Sequence, residues 1–339
     1  MKSRKNTEAV VSAMGALLGI AVDLVDYIQE LKGEVGECIY RLARPEGKET
    51  LKAVADLIVT DWLKWKIDNE LIPAEVLSPE QAEELIGSVN FFGPKEVKRA
   101  LGIDIEPKDV PQVPFSKMEL ERAKELNHFL ILRIEKDNKG NPLTMKILME
   151  FKNEQTQNDS GKLLCDTDWY QNESFFTTEE ISQTSWALVS REVIKNTTNS
   201  SYLHQTKILI KYLIDKVYAG QSLPQAYQEA IDEFKTLKGS NTNLESAGDA
   251  LEKLKITQLL RRLPVEVLYD LIVNHDGKDS GGRRLLIGTY DWSASRTSEG
   301  YFVYLGCSLT GDLKIFRYVH SGGNYFDLGA CLSRNPSKH

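Results

Sequence analysis

Between Val11 and Ile28 the apolar residues Val11, Met14, Leu18, Ala21, Val25 and Ile28 recur at alternating spacings of three and four, through a segment that also holds Asp23, Asp26 and Glu30. That spacing winds into one apolar stripe at 3.6 residues per turn and predicts an amphipathic helix. A second stripe, Leu51, Val54, Leu57, Ile58, Trp62 and Trp65, predicts a helix from about Glu49 to Leu71. Ser78-Pro79-Glu80 has the chemistry of a helix start: a hydroxyl to accept from an orphan amide, a proline at the first position and an acid at the positive end of the dipole. A short helix to Ile86 follows, Phe91-Phe92-Gly93-Pro94 breaks the chain, and Pro94 to Leu101 forms another short helix ended by Gly102. Residues 1–102 therefore form a helical module.

Pro107, Pro111 and Pro114 remove backbone donors, so 103–127 is expected to be linker and lead-in. Beyond it the period changes. His128 to Ile134 is a short apolar run suited to a buried strand, Lys139 to Pro142 a turn, Thr144 to Phe151 a helix, Ser185 to Arg191 a strand and Tyr202 to Tyr218 a helix. Residues 221–263 are mainly helical around a loop at Lys238 to Asn243 and are expected as an insertion. After Pro264, strands are expected at Val265–Val273, Arg284–Trp292, Tyr301–Leu305, Leu313–Val319 and Tyr325–Leu332, separated by Gly-, Asp- and Ser-bearing turns that favour antiparallel pairing. The fold class is α+β, with 128–339 as the α+β domain.

Composition narrows the function classes. A 339-residue chain with 41% hydrophobic and 27% charged residues buries a substantial core in one or two domains. A net charge of −7 and a pI near 5.5 do not suit a surface that neutralises phosphates, so no nucleic acid partner is expected. Cys38, Cys165, Cys307 and Cys331 are too far apart for a CxxC pair or a disulfide framework, which fits a reduced, cytoplasmic setting. The basic Met1–Asn6 and apolar Ala9–Val22 superficially match a secretory signal, but the stripe continues to Ile28 and the uncharged run is too short to cross a bilayer. No membrane span is expected. There is no Walker or dinucleotide glycine fingerprint, and no cofactor is implied. Asn274 to Gly282 carries oxygen ligands, but its Gly and Asp order is not that of an EF-hand and it lacks the closing glutamate; it is read as a solvated hairpin turn. Asp166, Asp168, Glu173, Glu179 and Glu180 lack metal-ligand spacing and are read as loop and helix-start charges. No metal site is assigned.

Phe91-Phe92-Gly93, Pro114-Phe115, Trp186 to Ile194 and Tyr202-Leu203-His204-Gln205-Thr206 resemble a bacterial family of hypothetical proteins. Members of that family often end in a Gly-Val/Leu-Ala-x-x-Arg sequence, which Leu328 to Arg334 resembles, as Gly282 to Gly288 resembles the approach to it. Tyr290-Asp291-Trp292-Ser293-Ala294-Ser295-Arg296 is similar to the Trp-Ser-Ser-x-Arg segment of the C-type-lectin-like branch shared by formylglycine-generating enzymes and the variable proteins of diversity-generating retroelements. That resemblance implies a C-type-lectin-like C-terminal domain, a scaffold that displays a ligand-binding surface near its end, and diversity at exposed positions.

The residues themselves point to the same region. Trp292, Tyr301, Tyr304, Phe316, Tyr318, Tyr325 and Phe326 concentrate rings beside Arg296, Arg317, His320, Asn324 and Asp327. Tyr and Trp combine contact area with few rotatable bonds and a polar handle, which suits recognition. Strand alternation sends about half of such positions inward. The expected ligand-binding residues are Trp292, Arg296, Tyr301, Tyr304, Tyr318, Asn324, Tyr325 and Asp327, on a noncatalytic protein with a protein or other macromolecular ligand. Two alternatives stand beside this reading. A thiol-dependent enzyme would use Cys307 as nucleophile and His320 as base, against the plainer reading of a strand cysteine as a small packed hydrophobe. An assembly protein would use the Val11–Ile28 helix as a homo-oligomer seam.

Overall fold

The computed structural model describes residues 77–155, 167–239, 251–277, 284–309, 313–318 and 325–335. The helices expected at Val11–Ile28 and Glu49–Leu71, and most of the loop expected at Lys238–Asn243, lie outside the described residues. Residues 75–339 make one compact unit of mixed helix and strand.

Local chemistry starts the first elements where the sequence pattern places them. In α1 (Pro79–Ile86) the Ser78 Oγ accepts from the Gln81 amide at 3.3 Å, and the Ser78 amide donates back to Gln81 Oε1 at 2.8 Å. The two-residue β1 (Phe91–Phe92) leads into α2 (Pro94–Leu101), where the Gly93 amide donates to Glu96 at 2.9 Å and Gly102, at φ 67°, closes the last turn. These elements do not stand apart as a separate module. Phe91 and Phe92 pair in parallel with Leu130 and Ile131, and Val97, Ala100 and Leu101 are buried in the same core as that strand. The expected boundary at 102 crosses this packing.

The proline-bearing segment behaves similarly. Its prolines prevent regular pairing, yet Ile103, Val113 and Phe115 are buried and Val113 bridges Leu77. The lead-in contains α3 (Lys117–Glu125), started by a capping box in which the Ser116 amide donates to Glu119 at 3.0 Å.

From β2 (His128–Arg133) the chain runs through α4 (Met145–Gln155) and the short α5 (Ser174–Thr177) to β3 (Ser185–Ser190). Then come α6 (Tyr202–Tyr212), continued as a π turn to Val217, α7 (Gln225–Gly239), α8 (Lys255–Leu260) and α9 (Pro264–Asp276). The chain ends in β4 (Thr289–Arg296), β5 (Phe302–Cys307), β6 (Leu313–Tyr318), β7 (Leu328–Gly329) and β8 (Ser333–Arg334). Two four-stranded sheets result, in the orders β1-β2-β3-β8 and β6-β5-β4-β7. Pairing is antiparallel except at β1–β2 and β4–β7.

Three strand expectations change. Val265–Val273 is the helix α9: Pro264 occupies the first turn, and the Leu263 amide donates to Glu266 Oε2 at 2.8 Å. Every residue from Pro264 to Asn274 is buried, because α9 packs against α2, α4, β2, β4 and β5. Glu266, Asp270 and Asn274 recur at a helical spacing of four, but this stripe is buried instead of facing solvent, with Glu266 and Asp270 bonded to Arg133, and the β-branched Val265, Val267, Ile272 and Val273 around it give the segment the composition of a strand. The expected Arg284–Trp292 strand starts only at Thr289 and runs on to Arg296. Tyr325–Leu332 divides: Leu328 pairs with Tyr290 in one sheet and Arg334 with Leu188 in the other, so the tail crosses between sheets at Ala330–Leu332.

Charged groups line the inside of this crossing. Arg133 donates from Nε and Nη2 to Asp270 at 3.0 and 2.7 Å, and from Nη1 to Glu266 at 2.9 Å. Arg262 donates to the same Asp270 Oδ2 at 2.9 Å and, from Nε and Nη2, to Asp291 Oδ2 at 3.1 and 2.7 Å. The remaining oxygen of Asp291 accepts from the Cys331 amide at 2.7 Å. All five side chains are buried. Burial opposes the charge on Arg133 and Arg262, but their carboxylate neighbours more than offset it and hold both guanidiniums above their usual pKa.

Two predictions follow from these buried groups. Asp270→Ala strands two guanidiniums in the core and should cost about 3–5 kcal/mol in urea unfolding; a loss below about 1 kcal/mol would contradict the network's role. His128 is buried, bonded through Nε2 to the Tyr212 hydroxyl at 3.1 Å, and lowered from 6.5 to about 3 by burial and then by the Arg334 charge. The unfolded chain therefore takes up this proton before the folded chain does. Stability from keeping the ring neutral is complete above pH 6.5 and is lost as pH falls toward about 3, by at most about 1.4 kcal/mol per pH unit. His128→Gln should flatten the fall between pH 7 and pH 5; slopes identical to wild type would contradict the assignment.

Candidate ligand-binding face

The register of the second sheet decides which side chains share a face. Tyr290 pairs with Gly306, Trp292 with Tyr304, Tyr304 with Phe316 and Gly306 with Lys314, so alternation puts these residues on one side. On the other side Val303, Leu305, Cys307, Leu313 and Ile315 enter the core that contains α9. Among the described residues, helix cover on the first side lies at one end. Trp292 and Phe302 are buried there against Tyr202 of α6, with ring centroids 5.2 and 4.0 Å from it.

At the uncovered end three strands each contribute one half-buried ring. Tyr304 stacks on Phe316 at 5.4 Å and 26°, and Tyr290 meets both edge-on at 5.8 and 5.3 Å. These arrangements are the favourable ones for ring quadrupoles, and the cluster holds its shape before anything binds. Gly306 is what lets it form. A Cβ there would lie 2.1 Å from the Thr289 carbonyl and 2.8 Å from Tyr290 Cα, so β4 and its tyrosine could not approach β5 this closely. Burial, and next the negative charge of Asp327, raise the Tyr290 pKa. The Tyr290 amide donates to the Asp327 carbonyl at 2.8 Å, so the turn that carries the exposed Tyr325 and the 84% exposed Phe326 runs beside β4.

The expected binding residues separate accordingly. Trp292 is corrected: it is fully buried and serves the core instead of a ligand, because α6 covers its end of the sheet. Arg296 is half-buried, donates to the Gly300 carbonyl at 2.6 Å and lies over the Phe302 ring at 5.2 Å. Tyr301 is half-buried under Arg317, whose guanidinium lies 5.5 Å from its ring and 5.2 Å from Trp169. Arg317 pairs in register with Val303, placing this group on the α9 side of the sheet. Tyr304 belongs to the ring cluster, Tyr325 and Asp327 flank it, and Tyr318 ends β6 opposite Phe302. Asn324 and His320 lie outside the described residues.

Tyr290, Phe316, Lys314 and Gly306 were absent from the expected binding set. Tyr290 was legible as the residue two before Trp292, and hence on its face, but no sequence period says which end of a face a helix covers. Cys307, the proposed nucleophile of the enzyme alternative, is buried on the α9 side. Burial, then Asp291, pushes the Cys331 thiol far above its ordinary pKa, the opposite of what a reactive thiolate needs. Among the described residues no group of His, Cys, Asp and Glu is placed to hold a metal ion, and no helix is long and apolar enough to cross a membrane. No family model, curated protein or solved structure matches the chain.

Gly306→Ala should displace Tyr290 or part β4 from β5 and cost about 1–3 kcal/mol in urea unfolding. Unchanged stability with unchanged tyrosine fluorescence would contradict the close-approach role.

Proposed function

We propose that this chain is a noncatalytic ligand-binding protein with a C-type-lectin-like C-terminal domain, displaying its binding surface in the manner of the variable proteins of diversity-generating retroelements. The observation that carries the reading is the half-exposed cluster of Tyr290, Tyr304 and Phe316, mounted on a sheet whose opposite side is packed. Rings already held in contact lose little freedom on binding and offer apolar faces with phenolic donors at the edge, the usual composition of recognition hot spots. Lys314 and Asp327 border the cluster with charges of both signs, and Phe326 extends the apolar area. A patch of this kind on an otherwise polar surface favours a protein or other macromolecular partner.

Two further features support the scaffold part of the proposal. The Trp292–Arg296 segment is the strand β4, with its tryptophan in the core and its arginine at the edge. Arg334 is buried, donating to Glu119 at 2.8 Å, where β8 pairs with β3 in the first sheet. A cytoplasmic setting fits the buried, unbridged Cys331.

The test is binding by the full chain on arrays of protein and glycan surfaces, compared with the double variant Tyr304→Ala/Phe316→Ala. Loss of about 10- to 100-fold in affinity for whatever the wild type binds, in a variant that is less stable by about 1–3 kcal/mol yet still unfolds in one cooperative transition above the assay temperature, is the expected result. Equal binding by the two proteins, or no binding by the wild type to either array, would count against this face.

A further inference from the structure

A second concavity, of about 470 Å³, is built entirely by residues between Ser78 and Gln112 and shares no residue with the aromatic face. Its floor is apolar: the buried Phe91 and the half-buried Ile105 and Val110, with Pro79 and Pro94 as walls. The first turns of α1 and α2 place Glu80 and Glu96 around it, and Glu83 adds a third carboxylate from the next turn of α1, against Lys95 as the one cation among the lining residues. Glu96 already accepts from the Gly93 amide and Glu80 from the Ser78 hydroxyl, so both carboxylates are held in place. At the start of α1 the Gln81 amide is taken by Ser78 Oγ, and at the start of α2 the Gly93 amide is taken by Glu96.

From this combination we propose that the groove docks a segment of a partner protein that places an apolar side chain between Phe91, Ile105 and Val110 and a lysine or arginine beside Glu80 and Glu83. The volume falls within the range of binding pockets and exceeds one side chain. Glu80, Lys95, Pro107 and Gln112 are solvent-exposed, so the site is a surface groove that suits a chain segment more than an enclosed small molecule. The excess of carboxylates selects the sign of the partner's charge, and the apolar floor supplies the anchor. Pro107, between Ile105 and Val110, also lines the groove and lacks the amide that regular pairing of this stretch would need.

The experiment uses the full-length protein with isotope-labelled Ile and Val methyl groups and two capped tetrapeptides, Lys-Leu-Trp-Lys and Glu-Leu-Trp-Glu. The Ile105 and Val110 methyl signals should shift with the cationic peptide and not with the anionic one. Glu80→Gln/Glu83→Gln, both substitutions outside the core, should weaken the cationic peptide by about 2- to 20-fold, and the methyl spectrum itself reports that the variant is folded. Equal shifts with both peptides, or none with either at millimolar concentration, would overturn the proposal. Phenethylammonium binding as tightly as the peptide would also overturn it, by assigning the groove to a small amine.

Discussion

Asp270 accepts from two arginines that belong to different parts of the chain, and the arrangement of both sheets depends on that shared carboxylate. Arg133 comes from β2, Arg262 from the turn before α9, and Arg262 passes the connection to Asp291 on β4 and from there to the backbone of the tail. Taking five charges out of water is expensive, and little net stability is gained relative to an apolar core of the same shape. What the network supplies is position. A shift of β2, β4 or the tail by one residue would leave a buried charge without its partner, a penalty that no apolar contact imposes so sharply.

The neighbouring arginine extends the same logic to the aromatic face. Arg261, in extended conformation after α8, sends its guanidinium away from Arg262, toward the carbonyls of Tyr202 and Trp292 at 3.1 and 3.0 Å, and lies 3.8 Å from the centre of the Tyr202 ring. Two consecutive residues thus tie β4 to α9 on one side and to α6 on the other. α6 is held over Trp292 and Phe302, and the outer face is left uncovered only beyond them. The exposed rings follow from where the covering helix is pinned, not from any lack of apolar material to cover them.

Much of this was legible in the sequence where local chemistry decides. The capping residues at Ser78, Pro94 and Gly102 mark their helices, and the apolar runs at His128 and Ser185 mark their strands. Two things escaped. The Ser116-x-x-Glu119 box directly follows three prolines, whose loop signal masks a helix start. In α9 the helical spacing of Glu266, Asp270 and Asn274 is present, but the β-branched residues between them carry a strand's composition. The proposed binding face is legible in the sequence only as a region. Its composition signalled recognition, but the choice of Tyr290 and Phe316 over Trp292 and Tyr301 depends on a three-strand register and on the seat of α6, both set by contacts distant in sequence.

The Asp270 network fixes both sheets from inside, and none of its side chains belongs to the ring cluster of Tyr290, Tyr304 and Phe316. A saturation substitution scan read by protease resistance of the full chain tests this separation directly. The account predicts that Tyr290, Tyr304, Lys314 and Phe316 accept most side chains without loss of folded protein, while Arg133, Arg262, Asp270 and Asp291 accept almost none. Equal tolerance at the two sets, or intolerance concentrated in the ring cluster, would contradict it.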